Sequence, residues 1–293
     1  MELMEPHKLL DHDETLTTYS SESTSNGLFG ATKRLVFEIK NSRYIIWRLF
    51  VRDYRAQFRQ KIFGYLWAIL TPLFVVSSYL VLYAIGVLNP GVGAIPYTIF
   101  LLLGSSIWSC MTSAIVDISS SLQLQADLIL KTNIPKISIV ISSLVSTLYG
   151  MLINVFIVFI VFIIFGFKPS FWFAAYPILV LPMLMVGAAI GIILSVIGQI
   201  AKDLLPLVLQ FLTFVMYLTP VVYEQQKDAS GLLQKIVQLN PLNSLVNFPR
   251  KLITEGNVVG FNSYLLSTAI AFGVLILAIQ VFYLLESLVA ERL

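Results

Sequence analysis

Along the chain's 293 residues the pattern of apolar and polar positions changes character several times. Residues 1–32 are polar and mixed in charge, with the run TTYSSESTSNG, and predict a flexible cytoplasmic tail. Over 33–61 the pattern turns basic and aromatic with helical spacing. Arg48, Arg52, Arg55 and Arg59 are separated by four, three and four residues, so at about 100° per residue they share one face. Ile46, Phe50 and Tyr54 fall roughly opposite. This predicts an amphipathic interface helix lying along a membrane surface. The chain then becomes wholly apolar without a break: after Lys61 the next formally charged residue is Asp117.

Six apolar runs follow, near 62–88, 97–118, 139–165, 176–200, 204–222 and 264–285. Each approaches the ~20 residues that an α-helix needs to cross a hydrocarbon core of ~30 Å. The segments between them differ. NPGVGAIP at 89–96 is turn-rich. The inner segment 119–136 is too polar to span; Gln123, Asp127 and Lys131 recur at every fourth position along one face, and Pro135 is expected to stop the helix. Such a helix can lie on the membrane or fit a groove on a partner. The outer segment 223–262 reads as two short apolar helices, 231–239 and 242–253, divided by Asn240 and Pro241, a cap and a first-turn residue. Two short helices dipping back into the outer leaflet account for its apolar content, and a re-entrant pair is tolerated where it is buried in protein or lines a cavity. It is a candidate outer gate.

Composition agrees with the pattern. Hydrophobic residues make up 57% and charged residues 12%, with a mean hydropathy of +0.85. Soluble domains sit nearer ~45–50% and ~25%. The expectation is an all-α integral membrane protein: a short tail, the interface helix, and a six-helix domain over 62–293. Of the 19 Lys and Arg, fourteen fall on one set of connecting segments and five on the other. By the positive-inside rule both termini are cytoplasmic. The first 40 residues have no apolar stretch of the signal-peptide kind.

Several chemistries are excluded or left without support. The single Cys110 rules out an internal disulfide and any multi-cysteine metal site. His7, Asp11, His12 and Asp13 are conceivable ligands, but nothing around them supports a closed site, so no metal is expected. There is no G-x-x-x-x-G-K-[ST] phosphate loop, no HExxH and no G-x-S-x-G turn. A membrane glycosyl- or acyltransferase would need acidic or His residues on a loop near the membrane, and both histidines lie in the first dozen residues. Ionisable groups at mid-membrane, typical of ion-coupled carriers, are nearly absent. What remains is a passageway driven by another subunit, with no enzymatic activity of its own and no nucleic-acid partner. Aromatic residues in and beside the spans (Tyr65, Trp67, Tyr79, Tyr83, Trp108, Tyr149, Tyr217, Tyr223) suit a wall along which sugar rings slide, and equally suit membrane belts or packing.

The stretch LFVRDYRAQFRQKIFGYLWAILTPL, Leu49 to Leu73, resembles the start of the ABC-transporter permeases that export polysaccharides and polyol phosphates, including O-antigen, capsule and teichoic-acid exporters. Arg52, Asp53, Arg55, Arg59, Gln60, Gly64, Trp67 and Pro72 match; Lys61-Ile62-Phe63 departs from the usual small or hydroxyl-bearing residues and Leu. A second match is TPVVY at 219–223 followed by LNPLNSLVNFPRKLI at 239–253. The resemblance covers about residues 40–290. It implies a half-transporter: two copies pair, and each engages a separate ATP-binding-cassette subunit that binds ATP and Mg. Arg48, Arg52, Asp53, Arg55, Gln123, Asp127 and Lys131 are then the ATPase contacts. The first and fifth spans, with Tyr65, Trp67, Tyr79, Tyr83 and Tyr217, line a channel for an undecaprenyl-linked glycan. Tyr223, Asn240, Pro241 and Arg250 belong to the outer gate. The same scaffold serves permeases for other substrates such as drugs or lipids. The expected place is the bacterial cytoplasmic (inner) membrane.

Overall fold

The computed structural model describes residues 28–59, 66–86, 96–132, 134–223, 237 and 239–292. Among them no strand occurs. In chain order the α-helices are α1 (Leu28–Arg59), α2 (Trp67–Ala84), α3 (Tyr97–Leu124), α4 (Ala126–Lys131), α5 (Lys136–Ile164), α6 (Tyr176–Ile197), α7 (Leu204–Leu218), α8 (Pro241–Glu255) and α9 (Phe261–Arg292). A short 3-10 helix, Phe171–Ala175, leads into α6. Four segments are long and apolar enough to cross a membrane: α3, α5, the stretch Phe171–Ile197, and Phe261–Leu285 of α9. The chain is a multi-pass membrane protein.

The bundle is organised around α3. One side of it meets α6 so closely that glycine is required: a Cβ at Gly187 would lie 2.4 Å from the Met111 carbonyl oxygen, and one at Gly191 would lie 2.9 Å from Ile118 Cβ. Small residues at such a crossing let backbones approach, which is how helices gain dispersion energy where lipid offers no hydrophobic drive. The other side of α3 packs on α5, and α9 closes against α6. Helix α1 lies over α5 and α9. Its Ile46, Leu49 and Phe50 are buried, and Phe50 and Tyr54 both stack edge-on against Tyr149 of α5. Near its start, Glu38 pairs with Arg34 at 2.8 Å and accepts from Tyr283 of α9 at 3.1 Å. This helix begins at Leu28, inside the segment expected to be tail. Helix α7 buries only Leu212.

The inner connector corrects the sequence reading. Ser119 to Leu124 do not belong to a separate amphipathic helix but continue α3, which bends at Gln125 into the single-turn α4. The Ser119 and Ser120 hydroxyls donate to the Val116 carbonyl and Ser121 to Ile118, so the polar run satisfies itself along its own helix. Gln123 therefore does not share one continuous helix with Asp127 and Lys131. Pro135 precedes α5 as its N-cap and does not terminate α4, which ends at Lys131. There its missing N–H is no loss. In the segment expected at the outer gate, α8 starts where the motif requires, with the Asn240 side chain accepting from Leu242 N at 3.0 Å and Pro241 in the first turn. It stops at Gly256, φ +70°, whose N–H bonds the Leu252 carbonyl. The proposed companion helix at 231–239 lies outside the described residues except for positions 237 and 239.

Gly187→Ala is expected to lower the thermal unfolding midpoint of the purified protein, with a loss of about 1–3 kcal/mol from overpacking. Gly273→Ala in α9, where an added Cβ meets nothing within 4 Å, should leave it equal or raised.

Candidate functional site: an inner joint and an outer latch

At the C-terminal end of α3 the bend is tied to α1. Arg52 Nε donates to Asp53 Oδ1 at 2.8 Å, Gln125 Nε2 donates to Asp53 Oδ2 at 3.0 Å, and an Arg52 N–H donates to Gln125 Oε1. The three side chains close a ring between the basic helix and the corner at which α3 becomes α4. Arg48 is also engaged, donating to the Tyr44 hydroxyl with its guanidinium over that ring. Arg48, Arg52 and Arg55 are exposed, as are Gln123, Asp127 and Lys131 beyond the bend. Asp53 and Gln125 thus link the exposed basic face of α1 to the corner that leads into α4. Sequence reasoning named Asp53 but missed Gln125, one Gln in the run SSSLQLQAD, because its role depends on where α3 bends.

At the other end of α3, where the outer gate is expected, the second motif is built around Arg250. This side chain on α8 is 1% exposed. Its guanidinium donates to the Val221 carbonyl at 2.8 Å, the Pro220 carbonyl at 3.1 Å and Asn247 Oδ1 at 3.1 Å, and it lies 3.8 Å from the centre of the Phe100 ring on α3. Carbonyl dipoles and a ring face together hold the charge. Gly104 makes the room: a Cβ there would come within 2.0 Å of Arg250 Nη2 and 2.4 Å of the Val221 oxygen. The turn that follows α7 is fastened further by Tyr97, whose hydroxyl donates to the Val222 carbonyl at 2.8 Å, and by Asn240 Nδ2, which donates to Thr219 Oγ1 at 3.0 Å. Tyr223 folds back to donate to the Tyr217 carbonyl at 2.9 Å, and partial burial raises its phenol pKa, keeping that donor protonated. The residues expected at an outer gate are therefore brought together, with Arg250 buried beneath as a latch joining α3, the 219–223 turn and α8. Tyr97, Gly104 and Thr219 were not foreseen. The signal of the first two, a Tyr three residues before and a Gly four residues after Phe100 on one face of α3, acquires meaning only once Arg250 is placed against Phe100 and Gly104.

The aromatic wall is placed in part. Trp67 begins α2 and Tyr217 is 56% exposed near the end of α7. Tyr79 and Tyr83 belong to α2; their side chains, and all of Tyr65, lie outside the described residues. So do His7, Asp11, His12 and Asp13.

Comparison with known proteins bears on this arrangement. The family described as "ABC-2 type transporter" matches residues 44–253, from the basic helix through the latch. A protein of Klebsiella pneumoniae named O-antigen export system permease protein RfbA is 27% identical over 210 residues, covering 70% of this chain and 78% of that protein. One of the same name from Myxococcus xanthus is 26% identical over 217 residues, covering 73% and 81%.

Arg250→Met should strand the Val221 and Pro220 carbonyls and cost about 2–3 kcal/mol, read as a lowered unfolding midpoint. Lys251→Met, next to it but exposed, should leave the midpoint unchanged.

Proposed function

The chain belongs to the ABC-2 type transporter family, and from that membership we propose that it is the membrane subunit of an ATP-driven exporter of a lipid-linked, O-antigen-like polysaccharide. The observation that carries the substrate is the similarity over some 70% of the chain to proteins named O-antigen export permeases. Membership implies an ATP-binding-cassette partner; ATP and Mg are bound there, and this chain supplies the path.

In this proposal six spans cross the inner membrane with both termini in the cytoplasm, the orientation favoured by the Lys and Arg distribution. Helix α2, with 18 residues, covers about 27 Å at 1.5 Å per residue, and the shorter α7 is completed by its flanking turns. Helix α1 lies at the inner surface as a docking collar, and α8 with its neighbouring segment re-enters from outside. A second copy faces α2 and α7. Support comes from the open side of α7, where Leu207, Phe211 and Phe214 recur at helical spacing, each about 60% exposed. The undecaprenyl-linked glycan passes between the copies.

The ring of Arg52, Asp53 and Gln125 suggests how nucleotide binding reaches that path. A push from the ATPase on α4 is delivered to α3 directly and to α1 through the ring, and α1 leads into α2. The arginines at the rim also suit the pyrophosphate of the lipid carrier.

Deleting the chain in its host should remove surface polysaccharide while undecaprenyl-linked glycan accumulates inside; normal surface polysaccharide would refute the function. Gln125→Leu should reduce polysaccharide exported per ATP hydrolysed several-fold while the ATPase still co-purifies. Replacing Arg48, Arg52 and Arg55 with Gln separates two roles: export lost from an intact complex marks pyrophosphate recognition, and loss of co-purifying ATPase marks docking.

A further inference from the structure

A cavity of about 710 Å³ opens between α1, α3 and α5, within the ~300–1,000 Å³ typical of ligand sites. It is elongated. Its lining runs from Gln125 at the inner joint to Ser105, twenty residues back, or about 30 Å along a helix. Its wall is unlike the rest of the bundle: nine Ser and Thr hydroxyls line it, contributed by facing stripes on α3 and α5. On α3, Ser105, Ser109, Ser113 and Asp117 recur at every fourth position and so share one face.

Asp117 is the only acidic residue in the four long apolar segments, and it lines this cavity. A carboxylate within an apolar helix is costly and is retained where it serves a polar site. The Thr147 hydroxyl donates to one of its oxygens at 3.2 Å, which among the described residues leaves most of its acceptor capacity unused. Farther along, the groove is held in shape by a network. Tyr176 donates to Ser106 at 3.1 Å, Ser106 donates to Asn154 Oδ1 at 2.7 Å, and Asn154 Nδ2 donates to Ser109 at 3.2 Å. At the inner mouth stand Asp53 and the rings of Tyr54 and Trp67.

The chemistry selects among ligands. Among the described residues no Lys, Arg or His lines the cavity and Asp53 and Asp117 do, Asp53 paired with Arg52 at the mouth, so a phosphate is disfavoured along the wall and meets a cation only at that rim. Carboxylate, carboxamide and hydroxyl groups accept from vicinal hydroxyls, and aromatic rings offer a flat face to a sugar ring. The basic residues stand instead on the exposed side of α1. We propose that this groove, internal to one copy and separate from a channel between two, binds the sugar units adjoining the lipid carrier while the pyrophosphate stays at the arginine rim. The assignment rests on the exporter function proposed above.

The test uses the complete complex with its ATPase in nanodiscs. Cys110, the chain's single cysteine, is replaced by Ser, and a reporter thiol is placed in the groove by Ser113→Cys or, as a second variant, Ser146→Cys. Labelling by a small polar methanethiosulfonate is timed with undecaprenyl-pyrophosphate glycan isolated from the host, and with undecaprenyl pyrophosphate alone. Glycan-bearing lipid should slow labelling about five-fold or more, and the bare carrier should not. Equal protection by both would make the groove a lipid site and overturn the proposal. ATP-dependent glycan transfer by the same complex in proteoliposomes distinguishes the remaining failures. Transfer without protection overturns the groove alone, whereas neither transfer nor protection overturns the exporter function and the groove with it.

Discussion

The crossing of α3 and α6 sets the position of nearly everything else. Gly187 and Gly191 bring the two backbones together, and once α3 is fixed there its remaining surface is committed to α5, α8, α2 and α7. Lipid gives no hydrophobic reward for helix association, so this axis depends on close packing and on polar groups satisfied within the protein. One flank of α3 is apolar and meets the glycines of α6, and the other is lined with hydroxyls. A helix so divided can be both the centre of the bundle and the wall of a polar groove.

Each end of that axis is fastened to a different part of the molecule. Near its start, Arg250 pins Phe100 and Gly104 of α3 to the turn after α7. At its end, Gln125 ties the bend of α3 to Arg52 and Asp53 of α1. Both fastenings use side-chain groups bonded to several partners at once. A displacement at one end therefore reaches several elements together, which suits a subunit driven from outside itself. Family membership implies an ATP-binding-cassette partner as the driver, and in the proposal above the two fastenings are the route of its push.

Much of this was legible in the sequence. The apolar runs located the long helices because a span must be both apolar and about twenty residues long. The starts of α3, α6 and α7 fall at the expected residues. The end of α3 was misjudged because polarity was taken to end the helix at Ile118, whereas the serines that follow bond back to their own turn and keep it helical. The motifs pointed to Arg52, Asp53, Asn240 and Arg250, yet not to what they do. Arg250 reads as an outer-loop charge, and its depth follows only from the carbonyls and the ring that enclose it. The Ser and Thr stripes were equally hidden, since their meaning requires α3 and α5 to be set side by side. Asp117 stood out only as the next charge after Lys61; its contact with Thr147 and its place on the wall of the groove appear once α3 and α5 are set side by side.

The central claim is that this chain forms the path of an ATP-driven glycan exporter. It is tested most directly by reconstituting the chain with its ATP-binding-cassette subunit in proteoliposomes and following a lipid-linked glycan across the membrane. The account predicts transfer that requires ATP and both subunits. Glycan transfer without the ATPase, or ATP-driven movement of a small drug or simple lipid with the glycan left behind, would contradict it.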